Sequence, residues 1–190
     1  MKSVYLLVFD GLADWEVGLV TYELNTRNAI PVTTVGLTQE SVKTGGGLRV
    51  LPDISLTQID LDNTALLILP GGDRWHTTFD KDLARVVLQL HAGGALVAAI
   101  CGATAFLART GIFKKGITHT SNSLEYLQRT VPSYNEQASY RDTYAVSDRG
   151  VITAGGAANV EFTYQILKTL EVYDDAVLSE FADFWNCRCK

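Results

Sequence analysis

Residues 95–104 read ALVAAICGAT, and this stretch decides the fold. Its first six residues, Ala95–Ile100, are almost wholly apolar, which is typical of a strand buried on both faces of a parallel sheet. Cys101 follows directly, and Gly102-Ala103-Thr104 leads into a segment of helical character. A strand, a sharp turn and a helix, with small residues on both sides of a thiol, predict a nucleophile elbow centred on Cys101.

The predicted elbow bears on the chemistry of Cys101. The free backbone N–H groups and the dipole at a helix N-terminus favour the thiolate, which is the reactive form of cysteine. The alternative is a small core cysteine, because cysteine is among the residue types most often buried. The choice between the two depends on which other groups are expected nearby.

Two further segments are expected at the same edge of the sheet. Residues 69–72 (LPGG) end a buried strand, and the backbone N–H of Gly72 is a candidate donor to an oxyanion beside the thiol. An ordinary Pro-Gly-Gly loop is the alternative. Glu16 lies near the start of the first predicted helix, where the carboxyl ends of parallel strands gather their ligands. A carboxylate that complements the helix dipole is the alternative for Glu16.

Short apolar runs alternate with stretches of helical period along the chain, which predicts a parallel sheet with crossover helices. Strands are predicted at 4–9, 30–35, 65–69, 95–100 and 117–119. Helices are predicted at 15–28, 80–91, 105–109, 123–129, 159–170 and 174–184. Glycine-containing turns predict hairpins across 41–51 and 148–150. With 190 residues, of which 47% are hydrophobic, a single domain over residues 1–190 is expected.

Charge and cysteine content exclude several classes of function. Sixteen basic and 21 acidic residues give a net charge of −5, which argues against nucleic acid and anionic membrane surfaces as partners. No apolar stretch reaches the roughly 18 to 20 residues that span a bilayer. The three cysteines, Cys101, Cys187 and Cys189, form no disulfide framework, so a cytoplasmic location is expected. Cys187 and Cys189 are interpreted as exposed thiols, and no metal site is expected.

Taken together, the motifs resemble the DJ-1/PfpI family of the class I glutamine amidotransferase-like superfamily. The resemblance rests on five segments that cover nearly the whole chain: 10–16, 69–72, 98–102, 118–119 and 153–162. It implies a flavodoxin-like three-layer α/β sandwich, in which a mostly parallel sheet carries helices on both faces, and it implies a homodimer. It also implies that the elbow cysteine is hydrogen-bonded to a protonated carboxyl group from the first helix, and Glu16 matches that group.

Two histidines are candidates for the same site. His119 falls where some family members carry a histidine near the cysteine, so it is a candidate acceptor of the thiol proton or a substrate-orienting group. A hydrogen-bonded structural histidine is an equally good interpretation. His76 follows the glycine pair and is a weaker candidate for the wall of the pocket.

Two departures from the family pattern restrict the expected activity. In the protease-like members a histidine follows the cysteine, whereas Gly102 stands here. In the glutamine amidotransferases a late His-x-Glu completes the site, whereas Asn159 stands two residues before Glu161 here. Neither the protease-like triad nor the glutaminase triad is therefore expected.

The remaining residues predict an enzyme centred on a cysteine. Cys101, Glu16 and His119 are the expected catalytic residues, and Gly72 and Gly102 are the expected oxyanion-binding residues. The expected substrate is a small carbonyl or amide compound, used in glyoxalase-like, hydratase-like or hydrolase-like chemistry without a cofactor. The alternative is an oxidative-stress sensor in which Cys101 is oxidised to the sulfinate and held by Glu16.

Overall fold

The central sheet has seven strands in the order β5-β2-β1-β6-β7-β9-β8 in a computed structural model that describes residues 2–188. Every neighbouring pair is parallel except β8 and β9, which form an antiparallel hairpin. The strands of the sheet are β1 (Ser3–Val8), β2 (Val32–Gly36), β5 (Ile54–Ser55), β6 (Thr64–Leu69), β7 (Leu96–Ile100), β8 (Ala145–Asp148) and β9 (Val151–Ala154). A separate antiparallel hairpin is formed by β3 (Val42–Lys43) and β4 (Arg49–Val50).

Helices surround the sheet, and three helices from two contacting helix pairs also contact β7. One pair contains α3 (Lys81–Ala92) and α4 (Gly102–Thr110), and the other contains α1 (Gly18–Tyr22) and α6 (Asn159–Thr169). The remaining helices are α2 (Arg74–Thr77), α5 (Leu124–Thr130) and α7 (Asp175–Phe184). The mostly parallel sheet and its surrounding helices confirm the expected flavodoxin-like α/β fold.

Strands β6 and β7 owe their place inside the sheet to their apolar sequences. Ile68 pairs with Ala98 and Leu69 with Ala99, and all four side chains are fully buried. A strand between two parallel neighbours has no solvent-facing side, so only apolar residues satisfy both faces. Because β1, β6 and β7 run in the same direction, the segments that follow them meet at one edge of the sheet.

The first helix differs most from the sequence-based expectation. The segment predicted as one helix over 15–28 is divided into a 3-10 turn (Asp14–Glu16), α1 and a π-helical turn (Glu23–Arg27). The 3-10 turn draws Glu16 into the interior. At the π-helical turn, the carbonyl oxygen of Glu23 accepts a hydrogen bond from the side chain of Asn28 at 2.8 Å.

Two other boundaries differ from the expectation. Helix α4 begins at Gly102, directly after Cys101, and not at residue 105. The segment 117–119 is not a strand, because its only ladder contact is a bridge between His119 and Tyr140 on an irregular loop. Short elements such as β5 and α2 had no predictive pattern.

In the part of the chain that the structure describes, no helix is long and apolar enough to cross a membrane.

Candidate active site

Cys101 occupies a strained turn between β7 and α4. Its φ of 59° and ψ of −126° lie outside the regions that L-residues favour, which costs about 1–3 kcal/mol and is typical of functional sites. The conformation is fixed from both sides, because the Cys101 N–H donates to Ala154 O at 2.9 Å and Thr104 donates to Cys101 O. The turn therefore has the elbow geometry that the sequence predicts.

The residue after the cysteine has no room for a side chain. A Cβ atom on Gly102 would lie 2.9 Å from Cδ1 of Trp75 and 3.1 Å from the carbonyl oxygen of Gly72. Trp75 is fully buried, and its Nε1 donates to Pro70 O at 2.8 Å, so it cannot move aside easily. The close approach explains why glycine stands at position 102.

Glu16 reaches the thiol from the 3-10 turn after β1. Its side chain is fully buried, and Oε2 accepts a hydrogen bond from the Gly71 N–H at 2.7 Å. Oε1 has no hydrogen-bond partner among residues 2–188. A Cβ atom on Gly156 would lie 2.8 Å from Cys101 Sγ and 3.3 Å from Glu16 Oε1, so both atoms face the same point. The tertiary structure thus brings the two residues together.

The two groups influence each other's ionisation. Burial raises the pKa of Glu16, and the hydrogen bond from Gly71 opposes this rise only in part. With Glu16 ionised, burial raises the pKa of Cys101 to about 11, and the negative charge of the Glu16 carboxylate acts in the same direction. A buried carboxyl group and a partly exposed thiol this close do not both ionise near neutral pH, so the pair retains at least one proton.

Asn122 is a further contact of the thiol that the sequence did not reveal. Its Nδ2 donates to Cys101 Sγ at 3.5 Å, and its Oδ1 accepts from the Gly156 N–H at 2.9 Å. The Gly102 N–H is also directed at the sulfur, and both donors lower the pKa of Cys101 against the effect of burial. The sequence offered one weak signal, because Asn122 directly precedes Ser123, the N-cap of α5.

A cavity of about 470 Å³ opens beside these residues. Asn122 and Gly156 belong to its wall, which otherwise consists of Ser121, Asp142, Thr143, Tyr144, Gly155, Ala157 and Ala158. A larger cavity of about 790 Å³ lies between α1 and α7. Neither cavity is lined by Cys101 or Glu16 themselves, but the smaller one is lined by Asn122 and Gly156, which adjoin the sulfur. We therefore assign the smaller cavity to the chemistry of Cys101.

His119 has a structural environment. Its buried ring is stacked on Phe113 at 3.9 Å between centroids, and burial lowers its pKa, so the ring is neutral. Nδ1 lies 2.7 Å from Ile117 O, which can only accept, and Nε2 lies 2.7 Å from the Tyr134 hydroxyl. Nδ1 therefore donates and Nε2 accepts, which leaves no position to take a proton from Cys101. The geometry favours the structural interpretation of His119.

His76 approaches the site only through a second residue. Its Nε2 lies 3.0 Å from the hydroxyl of Tyr126 on α5. Burial raises the pKa of Tyr126, and the charge of Cys101 acts in the same direction, so Tyr126 lies within electrostatic reach of the sulfur. His76 is thus a neighbour of the site and does not contact the thiol itself.

The expectation of an exposed Cys187 is wrong. Cys187 is buried, because the chain turns back after α7 and its N–H donates to Ala182 O at 2.8 Å. Cys189 lies outside the described residues. Among residues 2–188, no group of three or more His, Cys, Asp or Glu side chains is arranged to hold a metal ion.

Comparison with known proteins assigns the chain to a family. The sequence pattern of the DJ-1/PfpI family matches residues 2–169. The chain is 38% identical over 179 residues to the "Uncharacterized protease YoaZ" of Bacillus subtilis (strain 168), covering 90% of this chain and 85% of the relative. It is 26% identical over 174 residues to the "Glutathione-independent glyoxalase DJR-1.2" of Caenorhabditis elegans, covering 90% and 89%.

A solved structure gives the same result for the fold. The crystal structure of the thiJ/pfpI family protein from Bacillus anthracis superposes with a TM-score of 0.90 at 39% identity, covering 95% of this chain and 89% of that protein. The family pattern spans well over half of the sequence, and relatives above 30% identity align over most of their length. The chain therefore belongs to the DJ-1/PfpI family.

Proposed function

We propose that this protein is a cysteine-centred enzyme that acts on a small carbonyl or amide substrate. In this proposal Cys101 is the nucleophile and Glu16 is its carboxyl partner. The observation that carries the proposal is the pairing of a strained thiol with a buried carboxyl oxygen, Glu16 Oε1, that has no other partner in the described structure. An unsatisfied buried oxygen is costly, and such groups concentrate at functional sites.

The position of the shared proton follows from the available donors. With the proton on sulfur, Asn122 and Gly102 would donate to a neutral thiol, which is a weak acceptor. With the proton on Glu16, the same donors and the N-terminus of α4 meet a negative charge, and Oε1–H donates to the sulfur. The second arrangement satisfies every group, so we infer a thiolate at Cys101 and a carboxylic acid at Glu16.

This arrangement can add the thiolate to an electrophilic carbon. The sulfur forms a bond to the carbonyl carbon while the π electrons of the C=O bond move to oxygen. The N–H groups of Gly72 and Gly102 are the proposed donors to that oxyanion. Glu16 then transfers its proton to the oxygen, which leaves a neutral adduct and a carboxylate that can act as a base in the following step.

Small α-oxoaldehydes are the substrates to test first. The cavity of about 470 Å³ fits a small molecule better than an extended peptide, and one relative is named a glyoxalase. In such a reaction an α-oxoaldehyde and one water molecule yield a 2-hydroxy acid, so no oxidant or reductant is needed. Another relative is named a protease, but in this chain Gly102 follows the cysteine and both nitrogens of the His119 ring are engaged, so neither position supplies a histidine base.

The first experiment is an ultraviolet titration of the thiolate in the wild type, with Cys101→Ser as the baseline. A thiolate stabilised by a protonated Glu16 is expected to titrate below the usual cysteine midpoint of about 8.5. Glu16→Gln is expected to raise that midpoint, because an amide N–H is a weaker donor than a carboxylic acid. A wild-type midpoint near 11 would place the proton on sulfur and reject the mechanism.

Turnover is the second test. Methylglyoxal and a panel of small amides would be incubated with the wild type and with Cys101→Ser. Conversion by the wild type and its loss in the variant would support the enzyme. Unchanged turnover in Cys101→Ser on every active substrate would remove Cys101 from the mechanism.

A redox sensor is the second candidate function. Cys101 is partly exposed, and a protonated Glu16 can donate to a sulfinate as it can to a thiolate. Two peroxide molecules would each transfer one oxygen atom to the sulfur and be reduced to water. Mass spectrometry after mild peroxide treatment distinguishes the two functions. Oxidation that only abolishes turnover supports the enzyme, whereas oxidation that creates binding to another protein supports the sensor.

We also propose that the chain forms a homodimer in a reducing, cytoplasmic environment. Trp15, Leu48 and Leu51 are 62%, 63% and 70% exposed, and Trp15 packs beside the β3–β4 hairpin that carries the two leucines. Exposed apolar patches of this kind are typical of interaction surfaces. The reactive thiol proposed for Cys101 requires a compartment that keeps thiols reduced.

A further inference from the structure

We propose that Arg188 is a positioning residue for the Cys101 site. Arg188 follows α7 and contacts Glu161, Ala157 and Tyr144, and we call these four residues the Arg188 clamp. The clamp fixes the positions of two walls of the cavity beside Cys101 relative to Asn122. This inference rests on the proposed function, because it assumes that Cys101 is the reactive centre.

The anchor of the clamp is the buried carboxylate of Glu161. Only 1% of Glu161 is exposed, and Arg188 donates three hydrogen bonds to its side chain. The Arg188 backbone N–H and Nε donate to Oε1, and Nη2 donates to Oε2 at 3.1 Å. Burial alone would raise the pKa of Glu161, but the hydrogen bonds and charge of Arg188 help to lower it. The pair is therefore ionic and geometrically fixed.

The same guanidinium group touches both walls of the cavity. Nη2 donates to Ala157 O at 3.3 Å, and the guanidinium carbon lies 3.6 Å from the centre of the Tyr144 ring. Ala157 belongs to the loop between β9 and α6, and Tyr144 directly precedes β8. Both residues line the cavity, and the Gly155 N–H joins the walls by donating to Tyr144 O at 3.1 Å.

The clamped loop leads directly to the sulfur. Gly156 is the neighbour of Ala157, and its N–H donates to Asn122 Oδ1 at 2.9 Å. This contact fixes the amide of Asn122 so that Nδ2 faces Cys101 Sγ at 3.5 Å. Release of Ala157 would therefore loosen a donor to the thiolate through two intervening contacts. Small displacements of this kind have large effects on catalytic groups.

The test is the rate of Cys101 alkylation by iodoacetamide as a function of pH, followed on the Cys101 peptide by mass spectrometry. Arg188→Gln is expected to slow the reaction at neutral pH by about fivefold and to move its pH midpoint upward, as for the loss of one hydrogen bond to the thiolate. Arg188→Lys keeps the charge and is expected to restore part of the rate. Arg85→Gln is the matched control, because Arg85 pairs with exposed Asp82 on α3.

A double variant separates positioning from the cost of an unpaired buried charge. Glu161→Gln combined with Arg188→Gln removes both charges, so it leaves no uncompensated carboxylate and remains testable if the single variant unfolds. The double variant still lacks the contacts of the Arg188 guanidinium group to Ala157 and Tyr144. The alkylation of Cys101 is therefore expected to remain slow. Recovery of the wild-type rate and midpoint in the double variant would overturn the proposal.

The outcomes distinguish this inference from the proposed function. A wild-type Cys101 that resists alkylation at every pH would reject the proposed function itself. A reactive wild type with an equally reactive folded Arg188→Gln variant would reject only the Arg188 clamp. Slower alkylation with an upward midpoint in Arg188→Gln and the double variant, and partial rescue in Arg188→Lys, would establish the positioning role.

Discussion

At the scale of single residues, the site depends on the absence of side chains around Cys101. Gly71, Gly102 and Gly156 each lie where a Cβ atom would contact the site or its support at 2.9 Å or less. Such distances are shorter than real Cβ contacts, so the neighbours would have to move. The three glycines therefore allow the thiol and the carboxyl group of Glu16 to share a small buried volume.

Gly156→Ala tests this directly. The new methyl group would lie 2.8 Å from Sγ and 3.1 Å from Cβ of Cys101, so the thiol must shift. We expect Cys101 alkylation to fall by about tenfold or more, with the fold retained. The control is Gly18→Ala, because no atom lies within 4 Å of the added methyl group. Equal reactivity of Gly156→Ala and the wild type would contradict the described geometry.

At the scale of elements, the loop after α4 is held by the ring of His119. The ring joins Phe113, Ile117 and Tyr134 through one stacking contact and two hydrogen bonds. These contacts connect the 3-10 turn after α4 to the segment that leads to Asn122 and α5. His119 thus supports the site through the fold and not through proton transfer.

His119→Gln is expected to cost stability and to leave the thiol reactive. Loss of the stacking contact and of well-placed hydrogen bonds should lower the free energy of unfolding by about 2 kcal/mol at neutral pH. Burial lowers the folded pKa of His119, so below about pH 6.5 the unfolded state binds a proton that the folded state does not. The free energy of unfolding of the wild type should therefore decrease as the pH falls through this range. Its difference from the free energy of unfolding of His119→Gln should shrink as well. Urea unfolding at several pH values measures both effects. Lost alkylation of Cys101 in a stable variant would instead favour a catalytic role.

The β8–β9 hairpin has its own charge-dependent contact. Asp148 Oδ2 accepts a hydrogen bond from the Thr118 N–H at 2.7 Å, and this bond, with help from Arg149, holds the pKa of Asp148 below its usual range. A group whose pKa is lowered in the folded state stabilises the protein at pH values above its pKa in the unfolded state. This stabilisation is lost as the pH falls through the folded pKa.

Asp148→Asn removes that charge-dependent contribution. We expect a loss of about 1 kcal/mol in the free energy of unfolding at pH 7, since the group is partly exposed. The difference from the wild type should disappear as the pH falls below about 3.9, the unfolded value for aspartate. Denaturant unfolding at neutral and acidic pH measures it. A difference that is independent of pH would show that the charge of Asp148 has no part in it.

At the scale of the whole molecule, the sheet gathers the site and leaves an apolar surface elsewhere. The segments after β1, β6 and β7 supply Glu16, Gly71 and Cys101 to one edge of the sheet. Separate from these buried groups, Trp15, Leu48 and Leu51 expose large apolar side chains. This surface is the part of the molecule that a second copy is proposed to cover.

Leu51→Glu tests the proposed dimer. We expect the wild type to have twice the mass of the chain in light scattering, and the variant to dissociate, because a buried unpaired charge is costly at an interface. Leu88→Glu is the matched control, since Leu88 is an exposed leucine on α3, away from the hairpin. A monomeric wild type would reject the dimer, and dissociation by both variants would place its interface elsewhere.

Local patterns were sufficient to predict most of the fold. The apolar runs of β1, β6 and β7 and the capped helices α3, α5 and α7 lie within a few residues of their predicted bounds, because burial and capping depend on neighbouring residues. The elbow at Cys101 was predictable for the same reason. The 3-10 and π-helical turns around α1 were not, since they depend on where Glu16 and the carbonyl of Glu23 find partners.

The sequence by itself determined the parallel sheet, the elbow and the identity of its thiol, because those features depend on short-range patterns of apolar and small residues. The tertiary structure alone decided which polar groups meet that thiol. It brought Glu16 and Asn122 to Cys101, turned His119 into a structural residue and joined Glu161 to Arg188. Side chains 15 to 85 positions apart cannot be paired from local pattern, since their contacts depend on how the loops at the sheet edge pack together.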